Sequence, residues 1–103
     1  MSYDFFAAER VDGPVLNVAN DNARIPPAMM GMPFEQRYVH YQDLDAARRA
    51  LQRLDPKKHV RDTFADGQFV RCGTTVEQIE RYRTMLLSII DHCAEHGVDM
   101  VWG

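Results

Sequence analysis

The chain has 103 residues, 46% of them hydrophobic, and a net charge of −3, which predicts one small globular domain over residues 1–103 with a single core. No stretch approaches the ~20 apolar residues of a membrane span, and the first residues lack the basic start and apolar centre of a secretory signal. The two cysteines are too few for a disulfide scaffold and fit a reducing compartment, so we expect a cytoplasmic protein.

Residues 1–33 are predicted to form a loop-rich N-terminal arm, with residues 1–12 open to disorder. Residues 15–19 favour a short strand within it. The next stretch is rich in Asn, Asp, Pro and Gly, and its adjacent prolines favour an extended path. Three methionines follow, namely Met29, Met30 and Met32. We interpret them as gap-fillers on the core, and an adaptable contact surface is the alternative.

Residues 35–41 place aromatic and β-branched residues at the period-two spacing of a strand. Residues 43–55 then predict an amphipathic helix, with Asp43 as its N-cap because the carboxylate can accept free amides of the first turn. The apolar stripe of this helix consists of Leu44, Ala47, Leu51 and Leu54.

Pro56 predicts the start of a second, shorter helix, because proline is tolerated at a first helical position and the aspartate before it is a good cap. Val60 and Phe64 would form the apolar pair of that helix. The two short helices together cover residues 43–66, and a brief strand over 68–72 is expected next.

The strongest helical signal lies in residues 74–97. Thr74 and Glu77 match the capping box that opens a helix, and Gly97 stands where a helix needs a left-handed residue to end. The apolar positions between them recur at helical spacing: Val76, Ile79, Tyr82, Leu86, Ile89, Ile90 and Cys93. Residues 98–103 alternate in the way of a terminal strand or a packed tail.

Together these elements predict an α+β fold that is mostly helical. One long C-terminal helix packs on two shorter helices, with a few short strands at the edges. The large apolar residues near the chain ends, Phe5, Phe6 and Trp102, are expected to fold back onto the core, because a domain of this size needs them there.

The stretch DHCAEHG at the end of the long helix raises the question of a metal site. His92 and His96 lie four residues apart and so share a helix face, a geometry that chelates transition metals. Cys72 or Glu95 would supply a third ligand. The stretch lacks the His-Glu-x-x-His of zinc peptidases, and both imidazoles also suit the C-terminus of a helix. We therefore expect no metal and no cofactor, with His92, His96 and Cys72 as the weaker metal candidates.

No catalytic constellation stands out in the sequence. It contains no glycine-rich phosphate loop and no Gly-x-Ser-x-Gly elbow. Cys72 has no local signature of a nucleophile and is interpreted as a buried strand thiol. We therefore expect a protein without enzymatic activity.

Charge is segregated along the chain. Residues 1–45 and residues 62–103 each contain three arginines against seven acidic residues, so each segment carries −4. Residues 46–61 carry +5, from one aspartate and six basic residues. The six are Arg48, Arg49, Arg53, Lys57, Lys58 and Arg61. This run predicts a solvated face, a docking surface for an acidic protein, or a phosphate-binding face, although small nucleic-acid binders are typically basic overall.

The stretch NVANDNA resembles the short Asn/Asp-rich leaders of small bacterial and prophage-encoded proteins. The resemblance implies an accessory protein of a mobile element. It covers seven residues and assigns a role to none of them.

The sequence therefore predicts a non-enzymatic inhibitor or adaptor that occludes the surface of a larger protein or ribonucleoprotein complex, such as an anti-CRISPR or anti-restriction protein of a phage. Two alternatives stay open. One is a nucleic-acid-binding regulator that uses the basic residues of 48–61. The other is a homo-oligomeric, virion-type subunit, a homodimer included, in which chains share part of the stripe between Ile79 and Cys93. No membrane partner is expected.

Overall fold

The structure is a computed structural model that describes residues 2–9, 12–59, 64–66, 69–71 and 74–103. Its helices and strands confirm the α+β class. Within the described ranges the α-helices are α1 (Ile25–Met29), α2 (Leu44–Gln52) and the long α3 (Val76–His96). The strands are β1 (Ser2–Ala7), β2 (Leu16–Ala19), β3 (Tyr38–Val39), β4 (Phe64–Asp66), β5 (Phe69–Arg71) and β6 (Met100–Trp102). Short 3-10 turns lie at Asn20–Asn22, Phe34–Gln36, Tyr41–Asp43 and Pro56–His59.

Four strands form an antiparallel sheet in the order β2-β1-β6-β3, so the N-terminal and C-terminal strands lie side by side at its centre. Phe5 lies opposite Trp102, and their rings stack with centroids 5.4 Å apart. Both side chains are buried, as expected for large apolar residues near the chain ends. The prediction of a loop-rich, partly disordered arm is wrong for residues 2–7, because β6 supplies a hydrogen-bonding partner that lies far away in sequence.

The helix α3 covers the inner face of this sheet. That face presents alternate residues of the central strands, which are buried: Phe5, Ala7, Met100 and Trp102. The helix also contacts α2 and α1, so its apolar stripe is enclosed on several sides. Leu51 of α2 is fully buried in the same core.

The apolar stripe of α3 is buried within the chain. Its residues from Ile79 to Cys93 are at most 6% exposed: Ile79, Tyr82, Leu86, Ile89, Ile90 and Cys93. These side chains are covered within one chain and present no apolar surface to a second copy. In the described part of the chain, none of the helices combines the length and the apolar content needed to cross a bilayer.

The predicted capping box is displaced by one residue. The backbone N–H of Gln78 donates to Thr75 Oγ1 at 3.2 Å, and that of Thr75 donates to Gln78 Oε1 at 3.1 Å. Thr74 instead is buried and donates to Asn22 Oδ1 at 3.2 Å. Both spacings fit the motif, and this tertiary bond selects the second one. The helix ends as predicted at Gly97, with φ of 66°.

The predicted second short helix is wrong. Residues Pro56–His59 form only a 3-10 turn, and Phe64 begins β4, which pairs antiparallel with β5. The hairpin partner satisfies the backbone of residues 64–66, which an apolar spacing of four could not reveal. The predicted partner of Phe64, Val60, lies outside the described residues. The brief strand expected over 68–72 is confirmed as β5.

The strand predicted over 35–41 is shortened to β3. Arg37, just before it, has a left-handed φ of 69°, which breaks the extended path. A 3-10 turn follows, capped by His40 Nδ1, which accepts from the N–H of Gln42 at 3.2 Å. Asp43 makes no side-chain capping bond to α2, contrary to the prediction.

The adjacent prolines take part in a helix. They are the second and third residues of α1, within the first turn, where a missing N–H costs nothing, so the predicted extended path is wrong. Met29 and Met30 are each 2% exposed, and Met32 is partly buried against the same core. The interpretation of these methionines as gap-fillers is confirmed.

Candidate functional site

Two of the six predicted binding residues are engaged by the protein's own acids. Arg48 Nη2 lies 2.7 Å from Asp91 Oδ1, so this ion pair joins α2 to α3. Arg49 Nη1 lies 3.6 Å from Asp45 Oδ2 within α2. A third member of the set, Arg61, lies outside the described residues.

Arg53, Lys57 and Lys58 are exposed and form no ion pair with any described residue. Arg53 follows the end of α2, and the two lysines lie in the 3-10 turn Pro56–His59. We call these three side chains the cationic strip. Arg53 lies where a positive charge interacts favourably with the C-terminal dipole of α2. No carboxylate oxygen of the described residues lies within 4.0 Å of the three charged groups.

The backbone under the cationic strip is held in place. Arg83 Nη2 on α3 donates to the carbonyl of Leu54 at 2.9 Å, and the Leu54 side chain packs against the core. The carboxylate of Asp55 accepts from the N–H of Lys57 at 3.1 Å, and its carbonyl accepts from the N–H of Lys58 at 3.1 Å. The two lysines therefore project from an ordered turn.

His59 does not add to this charge at neutral pH. Burial lowers the pKa of its imidazole, and the ammonium of Lys58 lowers it further. The positive charge of the turn is therefore carried by the cationic strip.

Two arginines elsewhere are engaged by an aromatic cluster that the sequence analysis missed. The guanidinium groups of Arg24 and Arg37 lie 4.9 Å and 4.5 Å from the ring centroid of Phe34. Arg24 Nη1 also donates to Glu35 Oε1 at 2.7 Å, a bond that lowers the pKa of that carboxyl. Arg37 also lies 5.1 Å from the ring of Tyr3. No spacing in the sequence indicates the contacts of Arg24 with Phe34 or of Arg37 with Tyr3.

Among the basic residues with described side chains, most of those without a side-chain partner belong to the cationic strip. Those with an ion pair, a side-chain hydrogen bond or a cation–π contact are Arg24, Arg37, Arg48, Arg49 and Arg83. Those without one are Arg53, Lys57, Lys58 and Arg81. Three of these four unengaged cations therefore fall within six consecutive residues.

The end of α3 brings together the residues of the other predicted site. One ligand atom each of His92, Glu95 and His96 lie within 4.8 Å of one another. The two imidazole rings are 4.5 Å apart, centroid to centroid, with an interplanar angle of 62°. Cys72, the alternative third ligand, lies outside the described residues. The order His-x-x-Glu-His is the reverse of the zinc-peptidase motif His-Glu-x-x-His.

Gly13 fixes the position of His92. A Cβ at Gly13 would lie 2.6 Å from both Cδ2 and Nε2 of the imidazole, closer than side-chain atoms approach each other. The Nε2 atom is buried and has no hydrogen-bond partner among the described residues. Because the Cδ2–Nε2 edge packs on Gly13, Nδ1 lies on the opposite edge of the ring.

The thiol of Cys93 is not a nucleophile. Burial raises its pKa to about 11, with a further contribution from the charge of Asp99, so the thiolate is absent at neutral pH. Its Sγ donates to the carbonyl of Asp99 at 3.5 Å. The thiol therefore acts as a small core residue, as the sequence analysis assumed.

A shallow recess of about 190 Å³ lies beside the end of α3, lined by Ala8, Glu9, Gly97, Val98 and Asp99. The carboxylate of Asp99 accepts from the N–H of Tyr41 at 2.8 Å and is thereby engaged in holding the fold. Among the described residues that line the recess, Glu9 is then the carboxylate left for chemistry, and a single carboxylate offers no acid–base pair. Comparison of the chain with protein-family models, with curated proteins and with solved structures finds no match.

Proposed function

We propose that the protein is a non-enzymatic inhibitor or adaptor that docks on an acidic surface of a larger protein or ribonucleoprotein through the cationic strip. The single observation behind this proposal is the clustering of unengaged cations. Arg53, Lys57 and Lys58 face solvent without a counter-ion from the described residues, while neighbouring Arg48 and Arg49 have one.

The placement of the strip suits recognition. Its lysines project from a turn that is tied to α3 and to the core, so little backbone order has to be created on binding. Exposed charges of this kind guide association and select partners more than they add affinity. The acidic segments on either side would repel other acidic molecules that approach away from the strip.

Capture from a lysate of the source cells tests the proposal, with three immobilised forms of the protein. The first is the natural chain, the second is Lys57→Ala/Lys58→Ala, and the third is the matched control Arg24→Ala/Arg81→Ala. Both variants remove two positive charges, so nonspecific effects of net charge are equal. A partner identified by mass spectrometry should be retained by the natural chain and the control, and lost from the lysine variant. Equal retention by all three forms would refute the role of the strip.

Treatment of the lysate with nuclease separates this proposal from the nucleic-acid alternative. A protein partner, or the protein subunits of a ribonucleoprotein that contact the strip, stay bound after treatment, whereas capture that disappears with the nucleic acid assigns the strip to phosphate binding. A gel-shift titration at two salt concentrations then measures that binding, which must weaken steeply with salt. Cytoplasmic location and a phage or mobile-element origin belong to the same proposal, and the free, buried thiol of Cys93 is consistent with a reducing compartment.

A further inference from the structure

The last turn of α3 presents three metal-ligating side chains on one face. His92, Glu95 and His96 are related by spacings of three and four residues, which place side chains next to each other on a helix. Their ligand atoms lie within 4.8 Å of one another, and no other His, Cys, Asp or Glu in the described part of the chain joins the group. We propose that these three residues bind a divalent transition-metal ion.

The ligand set indicates which ions would bind. Two imidazole nitrogens and one carboxylate oxygen suit Zn²⁺, Ni²⁺, Co²⁺ and Cu²⁺, whereas Mg²⁺ and Ca²⁺ prefer oxygen ligands alone. Zinc bonds to nitrogen are about 2.0–2.1 Å long, so tetrahedral ligand atoms lie about 3.3 Å apart. Glu95 and His96 are exposed and free to close the difference from 4.8 Å by rotating their side chains.

His92 is already held in position for this role. Its imidazole packs with the Cδ2–Nε2 edge against Gly13, so Nδ1 is the nitrogen that an ion can reach. The ring therefore loses little freedom when a metal binds. A nitrogen that is buried without a partner, as Nε2 is here, also means that packing and not hydrogen bonding orients this ring.

Three protein ligands leave at least one coordination position open. Sites of this kind hold water or an outside ligand in the remaining position. On the sequence alone, Glu95 and Cys72 are alternative third ligands, and no metal is expected there. In the structure Glu95 supplies the third ligand atom, because the helix places it beside both imidazoles.

Calorimetric titration of the metal-free protein with ZnCl₂ tests the proposal. We expect one ion per chain, and binding weakened by at least about tenfold in His96→Ala and in Glu95→Gln, since even the outer-shell partners of metal ligands are worth 10–100-fold. Both residues are exposed, so neither variant should change the Tm of the metal-free protein. His40→Ala removes a histidine outside the group and should bind like the natural chain, and MgCl₂ should give no saturable binding.

A second variant tests the positioning of His92 without removing a ligand. Gly13→Ala places a methyl group where the imidazole now packs, which must displace the ring. We expect weaker zinc binding in this variant, and a smaller rise in Tm on addition of zinc than in the natural chain. Zinc binding that is unchanged in His96→Ala, or that is absent in the natural chain, would overturn the proposal. Unchanged binding in Gly13→Ala would overturn the positioning role of Gly13.

Discussion

The guanidinium of Arg48 on α2 lies 2.7 Å from the carboxylate of Asp91 on α3, and this ion pair joins the two helices. This ion pair removes Arg48 from the surface that the sequence offers for binding. The side chain of Asp91 is 70% exposed, and that of Arg48 is 31% exposed, so solvent screens the pair. Asp91→Asn should therefore lower the free energy of unfolding by less than about 1 kcal/mol.

Chemical denaturation of Asp91→Asn, Arg48→Ala and the double variant measures this coupling. The same variants should capture a partner as well as the natural chain does, because Arg48 lies outside the cationic strip. A loss of capture in Arg48→Ala would extend the docking surface onto α2.

Substitution of the adjacent residues Phe5 and Phe6 in β1 tests which face of the sheet each side chain occupies. Phe5 is fully buried against Trp102, while Phe6 points to the opposite face and is half-buried. Phe5→Ala should lower the free energy of unfolding by about 3–5 kcal/mol, the usual cost of truncating a buried aromatic residue. Phe6→Ala should cost clearly less. Urea denaturation measures both, and the opposite ranking would contradict the described register.

The position of the capping box gives a second test of local structure. Thr75→Ala removes the acceptor for the N–H of Gln78 and should cost about 1 kcal/mol. Glu77→Gln should change stability by only a few tenths of a kcal/mol, since Glu77 contributes only its charge near the helix N-terminus. A larger loss from Glu77→Gln than from Thr75→Ala would favour the box predicted from sequence.

The raised pKa of Cys93 predicts both low reactivity and a pH dependence of stability. In a Cys72→Ser background, a thiol reagent at pH 8 should modify Cys93 slowly in the native state and rapidly in denaturant. Because the folded pKa of about 11 exceeds the ordinary value of 9.0, burial of the neutral thiol stabilises the fold fully below pH 9. That contribution should decline from pH 9 upwards and be lost above pH 11. Rapid native-state modification at pH 8 would contradict the burial of this thiol.

Local patterns were sufficient for much of the fold. The apolar spacing of α3, its terminal Gly97 and the stripe of α2 each depend on residues within a few positions of one another. The position of the three methionines follows from a different reason, which is domain size: a small domain has to bury them. Such signals survive because the tertiary structure agrees with the local preference.

The sequence predictions are wrong mainly where contacts between residues distant in sequence determine the local structure. β1 exists because β6 pairs with it, and the capping box uses Thr75 because Asn22 engages Thr74. The hairpin of β4 and β5 is a local exception, because its two strands are only a few residues apart and the apolar spacing of four favoured a helix over this pairing. At the candidate sites, the sequence identified the basic run and both histidines, but not which cations the acids of α2 and α3 engage. Gly13 could not be connected with His92, because loop residues approach a helix in ways that spacing does not reveal.

The most direct test of the docking proposal is the affinity of the captured partner for the two charge-matched variants. Calorimetry with the purified partner at physiological salt should show binding weakened at least about tenfold, or 1.4 kcal/mol, in Lys57→Ala/Lys58→Ala. The control Arg24→Ala/Arg81→Ala should stay within about twofold of the natural chain, and the difference between the variants should shrink at high salt. Equal affinities for the two variants would contradict the central claim that the unengaged cations of the strip form the docking surface.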